Sequence, residues 1–489
     1  MTKIAVIGSG FSSMAAATVM ADAGHDVTIY EKNNSPGGRA RKFEVDGFTF
    51  DMGPSWYWMP DIFESYFNRF GKKVEDYYNL VRLDPSYRIF FGKEDVMDVP
   101  ASIEELYQLF DIIEPGSSPK LKKFLEQAAY KYKVGINEFV WKPGKSITEF
   151  MDIRVVKSAF KLQMFSSISK EIRSLFSNKK LIQLLEFPVL FLGATPQNTP
   201  ALYSLMNYAD LELGTWYPMG GMYNIIQGMV DLAKEKGVKF NLDEPVTSMG
   251  IPNGSIKELV TSKGIYHPDY VIAGADYHHV EQELIPKVKR IYDERYWDKR
   301  TMAPSSLLFY LGLDTKVPGI KHHNLFFDAD FNEHARDIYT DPKWPDNPLF
   351  YLCCPSKTDS TVAPEGKENV FLLLPLAPDL KDSEELREKY FNIMADRLVD
   401  LVGFDIRSHI IYKRSYCVDD FKSDYNAFKG NAYGLANTLK QTAILKPKIR
   451  NKKIKNIYFT GQLTTPGPGV PPSLISGQMV AQELLKDLN

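Results

Sequence analysis

An α/β fold built on a parallel sheet is what this sequence predicts, and three stretches predict it. Ile4 to Ile7 form an unbroken apolar run that stops at Gly8, the pattern of a strand buried on both faces. Met14 to Ala23 is rich in Ala and Met, strong helix formers, so a helix is expected from Ser12 or Ser13. Asp26 to Tyr30 then reads as a second strand. Strand, tight turn, helix and strand in that order make a βαβ unit.

The turn carries the chemistry. Gly8 and Gly10 let the backbone come close to a pyrophosphate, and the free N–H groups of the following helix would face it. Glu31, about 23 positions beyond Gly8, stands where a dinucleotide fold needs an acceptor for ribose hydroxyls. Ser13 replaces the third glycine of G-x-G-x-x-G, which normally allows close helix–strand packing; this perturbs the motif without abolishing it. With Gly37-Gly38-Arg39 close behind, the stretch reads as a Rossmann-like dinucleotide site.

The 489 residues correspond to about three domain-sized units. Apolar residues at 44% and charged residues at 25% are ordinary for a globular protein, and a formal charge of −2 argues against a nucleic-acid binder. The 30 Phe and 27 Tyr suit a large core or a long apolar cavity. Three cysteines supply no disulfide framework, consistent with a reducing cytoplasm. The pairs His278-His279 and His322-His323 fit no ligand spacing, so no metal site is expected. Met1-Thr2-Lys3 runs straight into a core strand, so no signal peptide is expected. No apolar stretch reaches the ~18 to 20 residues that span a bilayer.

Further along, alternating residues around Asp46-Gly47 signal a hairpin, and a helix is expected near Pro60. Val81 to Phe91 and Val96 to Val99 read as strands, and Ser102 with Glu105 opens a helix through a capping box. Ser118 to Leu213 is mostly helical in pattern. Within it, Arg154 to Lys180 holds seven Lys or Arg and one acid, Glu171. Such a basic amphipathic segment can lie on an anionic membrane or simply present a solvated face. Strands expected between Lys239 and Asp276 read as a return to the first sheet. Ser305 to Leu313 and Val370 to Leu376 read as further strands, and Ser383 to Val402 as a helix. Ile454 to Thr460 is a last buried strand, leading into a glycine- and proline-rich turn and a helix from Leu474 to Leu485.

Gly8-Ser-Gly-Phe11, Pro36-Gly-Gly-Arg-Ala40, Phe48-Thr-Phe-Asp-Met-Gly-Pro54, Tyr217-Pro-Met-Gly-Gly221 and Pro466-Gly-Pro-Gly-Val-Pro-Pro472 together resemble the bacterial phytoene-desaturase type of carotenoid desaturase, FAD-dependent flavoproteins of the amine-oxidase-like group. The resemblance spans essentially the whole chain. Gly193 to Tyr208 and the Ser12-Ser13 pair look closest to the 1-hydroxycarotenoid 3,4-desaturase branch, with phytoene or lycopene-forming desaturation as the alternative.

The resemblance implies a Rossmann-like FAD-binding domain from residues 1–80, 214–285 and 446–489, a mixed-sheet substrate domain from 81–117 and 286–445, and a helical, membrane-associating insert at 118–213. It implies that Gly8, Gly10, Phe11 and Ser12 cradle the FAD pyrophosphate, that Glu31 takes the ribose and that Lys32 packs over adenine. Gly38 and Arg39 would lie near the diphosphate, Gly53, Pro54 and Ser55 near the flavin, and Val246 beside the adenine. Gly461 would touch the phosphates, and Gly469, Val470 and Pro471 would pass the isoalloxazine ring. Asp152 and Arg154 loosely correspond to an acid–base pair linked to the family, at different spacing. Trp216 and Tyr217 are expected as walls of the substrate channel.

The implied substrate is an acyclic C40 carotenoid that gives hydride to flavin N5, with oxygen or a quinone as electron acceptor. At roughly 0.8 kcal/mol per buried CH2 such a polyene does not diffuse through water. The protein is therefore expected in the cytoplasm, peripherally attached to the inner face of the cell membrane. An amine oxidase and a non-catalytic prenyl-lipid escort protein are the rival readings on the same fold.

Overall fold

The computed structural model describes residues 1–144, 166–192, 195–438 and 441–488. A five-stranded sheet runs in the order Ile457–Phe459, Tyr270–Ala273, Lys3–Ile7, Asp26–Tyr30 and Lys239–Asn241, every pairing parallel. Lys3–Ile7 is its central strand. Covered on both faces, it is buried from Ile4 onward, as its continuous apolar run requires.

Helix Phe11–Asp22 is buried from Phe11 through Ala21, so it is apolar all round rather than amphipathic. It begins at Phe11, one residue before the expected start, with extended Gly10 as its N-cap. It packs against helix Val470–Leu488 so closely that a Cβ on Gly477 would sit 2.1 Å from the Ser12 carbonyl oxygen. The C-terminal helix starts at Val470, not Leu474, because Pro471 and Pro472 fall in the first turn, where no N–H partner is needed.

Of the strands expected to rejoin the first sheet, only Lys239–Asn241 and Tyr270–Ala273 do so. Val246–Gly250, Glu258–Thr261 and Ile265–Tyr266 form a separate antiparallel sheet, since their connections are too short for a parallel crossover. The stretch from Val81 to Phe91 divides at Asp84-Pro85. Leu80–Arg82 pairs with Trp216–Pro218, and Tyr87–Gly92 enters a second large sheet.

That second sheet has seven strands, in the order Ile410–Tyr416, Ser305–Leu313, Glu368–Leu376, Phe350–Cys353, His323–Phe326, Tyr87–Gly92 and Asp95–Val99. It is antiparallel except where His323–Phe326 runs parallel to Tyr87–Gly92. Leu307, Phe309 and Leu311 face the core beneath helix Glu384–Val402, while Leu308 and Tyr310 face the main core on the other side. The sheet is thus buried on both faces.

Helices Ser118–Val134, Ile168–Leu175, Lys179–Glu186 and Leu205–Leu211 lie beside these sheets. Residues 145–165, including Arg154 to Phe165 of the basic amphipathic stretch, lie outside the described residues. In the described remainder, Ile168 and Ile172 are buried, and Glu171 turns inward to the buried Lys131 at 3.0 Å. No helix among the described residues is long and apolar enough to cross a membrane.

Candidate active site

The site begins where strand Lys3–Ile7 ends. Gly8 has φ +87°, and a Cβ there would meet the Ala275 backbone nitrogen at 3.2 Å, so only glycine makes this turn without strain. Gly38, at φ +56°, brings its own turn against Gly10, with 3.3 Å from a built Cβ to the Gly10 Cα. The two turns expose the first N–H groups of helix Phe11–Asp22. That helix has no side-chain cap and no acidic residue in its first turn, so its positive end faces the cavity unopposed.

Glu31 is buried beside this turn. One carboxylate oxygen accepts from Ser9 N at 2.9 Å and Ser9 Oγ at 2.7 Å; the other accepts from Asn33 N at 2.9 Å and Asn33 Nδ2 at 3.0 Å. The carboxylate is held rigidly at the edge of the cavity. Arg39 donates to the Asn431 carbonyl at 3.1 Å; burial lowers its pKa and nearby Asp276 opposes that shift. Lys32 reaches the Ser423 carbonyl at 2.6 Å, tying the end of the second strand to helix Val418–Tyr425.

All these groups open into one cavity of about 480 Å³. Every residue assigned to the cofactor from sequence, from Gly8 through Val246 to Pro471, lines it. Its far half is walled by Trp58, Phe187, Met206, Leu325, Phe327 and Tyr351. The donor set suits a dinucleotide: helix N–H groups and Arg39 for phosphates, Glu31 for ribose hydroxyls, the Val246 backbone for a base. The Gly53–Ser55 and Gly469–Pro471 loops line the same cavity.

Trp216 and Tyr217 do not wall this cavity. Trp216 lies in the short strand paired with Leu80–Arg82, under the Arg82 guanidinium, and donates to the Leu213 carbonyl at 2.8 Å. Tyr217 is buried against His322 and borders a separate small cavity of about 20 Å³ behind Gly53 and Ser55. As neighbours on one strand the two rings point to opposite faces, and neither is among the residues that line the main chamber. Asp152 and Arg154 lie outside the described residues. His279 lines the large cavity, whereas His278 stacks on Phe428 and pairs with Glu294 at 2.9 Å.

The sequence reading missed the aromatic wall drawn from Trp56, Trp58 and the seven-stranded sheet. The strands expected here included Ser305 to Leu313 and Val370 to Leu376; His323–Phe326 and Phe350–Cys353, which carry Leu325 and Tyr351 to the cavity, were not among them.

This fold and this cavity define a dinucleotide-dependent flavoprotein oxidoreductase. The model of the flavin containing amine oxidoreductase family matches residues 12–485, and the chain belongs to that family. It is 42% identical over 99% of its length to the carotenoid 3,4-desaturase of Haloarcula japonica, covering 98% of that protein. It is 30% identical to the zeta-carotene-forming phytoene desaturase of Myxococcus xanthus, over 99% of this chain and 94% of that one. Among solved structures, cyclohexylamine oxidase from Brevibacterium oxydans shares the fold at TM-score 0.60 and 13% identity, covering 100% of this chain and 99% of that one. The protein is an FAD-dependent oxidoreductase.

Proposed function

We propose that this chain is an FAD-dependent carotenoid desaturase that forms the C3,4 double bond of an acyclic 1-hydroxy- or 1'-hydroxycarotenoid. The full-length identity of 42% to a carotenoid 3,4-desaturase carries this reading. The cavity supports it, because a dinucleotide cradle opens directly into an apolar chamber.

Bound FAD supplies the two-electron oxidant that takes a hydride from the polyene. The chain does the rest. Glu31, Arg39 and the N-terminus of helix Phe11–Asp22 would hold the cofactor, with the Gly53–Ser55 loop available to its ring system. Trp58, Phe187 and Phe327 hold an extended hydrocarbon there and exclude water.

Because the substrate stays in the bilayer, we also propose peripheral attachment to the cytoplasmic membrane face through residues 118–213, with oxygen or a quinone reoxidising the cofactor. The basic composition of Arg154 to Lys180 supports this. Replacing Lys157, Lys161 and Lys170 with Gln is expected to reduce co-sedimentation with anionic liposomes; unchanged binding would refute attachment by this segment.

Purified protein with FAD should convert a hydroxylated acyclic carotenoid to a product absorbing further to the red. Conversion of phytoene alone would favour the earlier desaturation step. Amine-dependent peroxide formation without carotenoid turnover would refute the reading.

A further inference from the structure

We propose that Tyr351, backed by His323, takes the proton that desaturation releases. The proposal rests on the desaturase reading and adds to it the acceptor for the second hydrogen.

Tyr351 stands on strand Phe350–Cys353 and lines the large cavity together with Gly53, Pro54, Ser55 and Trp56. Its hydroxyl lies 3.1 Å from Ser55 Oγ and 2.6 Å from Nδ1 of His323 on the adjacent antiparallel strand. The His323 ring stacks on Trp56, with centroids 4.1 Å apart and planes 11° apart. That stacking holds the imidazole so that Nδ1 keeps facing the tyrosine. Nε2 of His323 is buried without a partner, so Tyr351 is the group to which this ring is coupled. Stacking alone would be served by an apolar ring without an unmet nitrogen, so the hydrogen bond to Tyr351 is what the imidazole adds.

The chemistry fits a neutral acceptor. Loss of hydride leaves a cation spread along the polyene, and a C–H bond beside a cationic carbon is strongly acidic. A weak neutral base can accept that proton, whereas a carboxylate touching the carbon would bond to it. Burial holds His323 well below the usual histidine range, so it rests uncharged; the same burial makes it a weak base, which takes a proton only from a donor as acidic as the C–H beside a cation. In the step, the C–H bond next to the hydride-donating carbon breaks and its electron pair becomes the new π bond. The proton passes to the Tyr351 oxygen while the tyrosine's own proton, which points to Ser55 Oγ in the resting state, turns to Nδ1 of His323. The product is a neutral polyene and an imidazolium. Ser55 Oγ offers the return path to cavity water once product has left.

The titratable groups around His323 are His322, whose ring centroid is 4.5 Å away, Cys353 across the strand pair, and Tyr351 itself. Asp51 and Asp359 lie beyond, beside Tyr217 and His322. Burial holds His322 down at about 3 and Cys353 up at about 12, so neither changes charge between pH 7 and 9. Asp51 is pushed up to about 6 and is ionised over most of that range.

The test is single-turnover bleaching of bound flavin by carotenoid in wild type, Tyr351→Phe and His323→Gln. Carotenoid binding and FAD content are measured alongside. Tyr351→Phe keeps the ring, so FAD content and carotenoid affinity should stay within about twofold; the cation recaptures its hydride unless the proton leaves, so net bleaching should slow at least ~100-fold. Wild-type bleaching should be flat from pH 7 to 9. In Tyr351→Phe it should rise about tenfold per pH unit, because hydroxide must then serve as base, a change that a purely structural role would not produce. His323→Gln keeps a hydrogen bond to Tyr351 but cannot accept a proton, and should behave likewise. Bleaching of Tyr351→Phe within about threefold of wild type, with normal binding, overturns the proposal while leaving the desaturase reading intact. Failure of the wild-type flavin to bleach with any acyclic carotenoid overturns both.

Discussion

Ser13 and Gly274 share one gap between the N-terminal helix and the end of the neighbouring strand. A Cβ built on Gly274 would lie 2.0 Å from Ser13 Oγ. The dinucleotide motif normally places a glycine on the helix side of this contact. Here the helix carries a serine and the strand side carries the glycine, so close packing survives with the small residue moved across. Gly274→Ala should destabilise the protein by about 1 to 3 kcal/mol through overpacking, and adding Ser13→Gly should restore most of it. Thermal unfolding of the two single variants and the double variant measures the coupling; strictly additive effects would refute it.

Ser13 Oγ itself is buried without a hydrogen-bond partner. Ser13→Ala removes an unmet hydroxyl and should leave stability unchanged or raise it by about 1 kcal/mol. A clear loss of stability in urea unfolding would contradict this account.

Glu31 locks the phosphate turn through Ser9 and Asn33 while facing the cavity. Glu31→Ala should weaken FAD binding at least tenfold, since hydrogen bonds to a charged group contribute about 1.5 to 3 kcal/mol. Titration of apoprotein with FAD reads this directly, and an unchanged affinity would remove Glu31 from the cofactor site.

Lys446 is fully buried, with Asn437 Oδ1 at 2.7 Å as its hydrogen-bond partner, and burial alone lowers its pKa to about 7. The unfolded chain keeps that proton up to about pH 10.5, the folded chain only up to about 7. Between those limits the unfolded state binds more protons, so this group makes folding more favourable as pH rises. Relative to Lys446→Met, the wild-type melting temperature should climb from pH 7 to pH 10 and level off below pH 7. Parallel curves for the two proteins would refute it.

His322, His323 and Cys353 each bring a possible donor atom to within 4.8 Å of the others. The thiolate is the form that binds metal, and burial pushes the Cys353 thiol up to about 12. A metal would have to displace that proton, so loading of this site should be weak and strongly pH-dependent; zinc or copper retained at a full equivalent through dialysis at pH 6 would overturn that expectation.

What the sequence determined by itself was local. The apolar run Ile4 to Ile7, the glycine turn and the acid at Glu31 were legible because strand burial, tight turns and ribose recognition each leave a short, ordered pattern. The second glycine-rich turn, Gly461 to Pro472, was legible for the same reason. Ser102 was readable as a cap because its partner is three residues away, with Glu105 N at 3.4 Å. Tertiary structure decided everything that depends on which face meets which. It turned Trp216 toward Arg82 and Leu213, moved Tyr217 behind the Gly53 loop, and left the wall of the large cavity to Trp58, Phe187 and Phe327. It also joined Ser55, His323 and Tyr351, which stand on a loop and two strands far apart in the chain. Periodicity reports that a side chain is buried, but the partner it is buried against is set by sheet order and register, which no local pattern encodes.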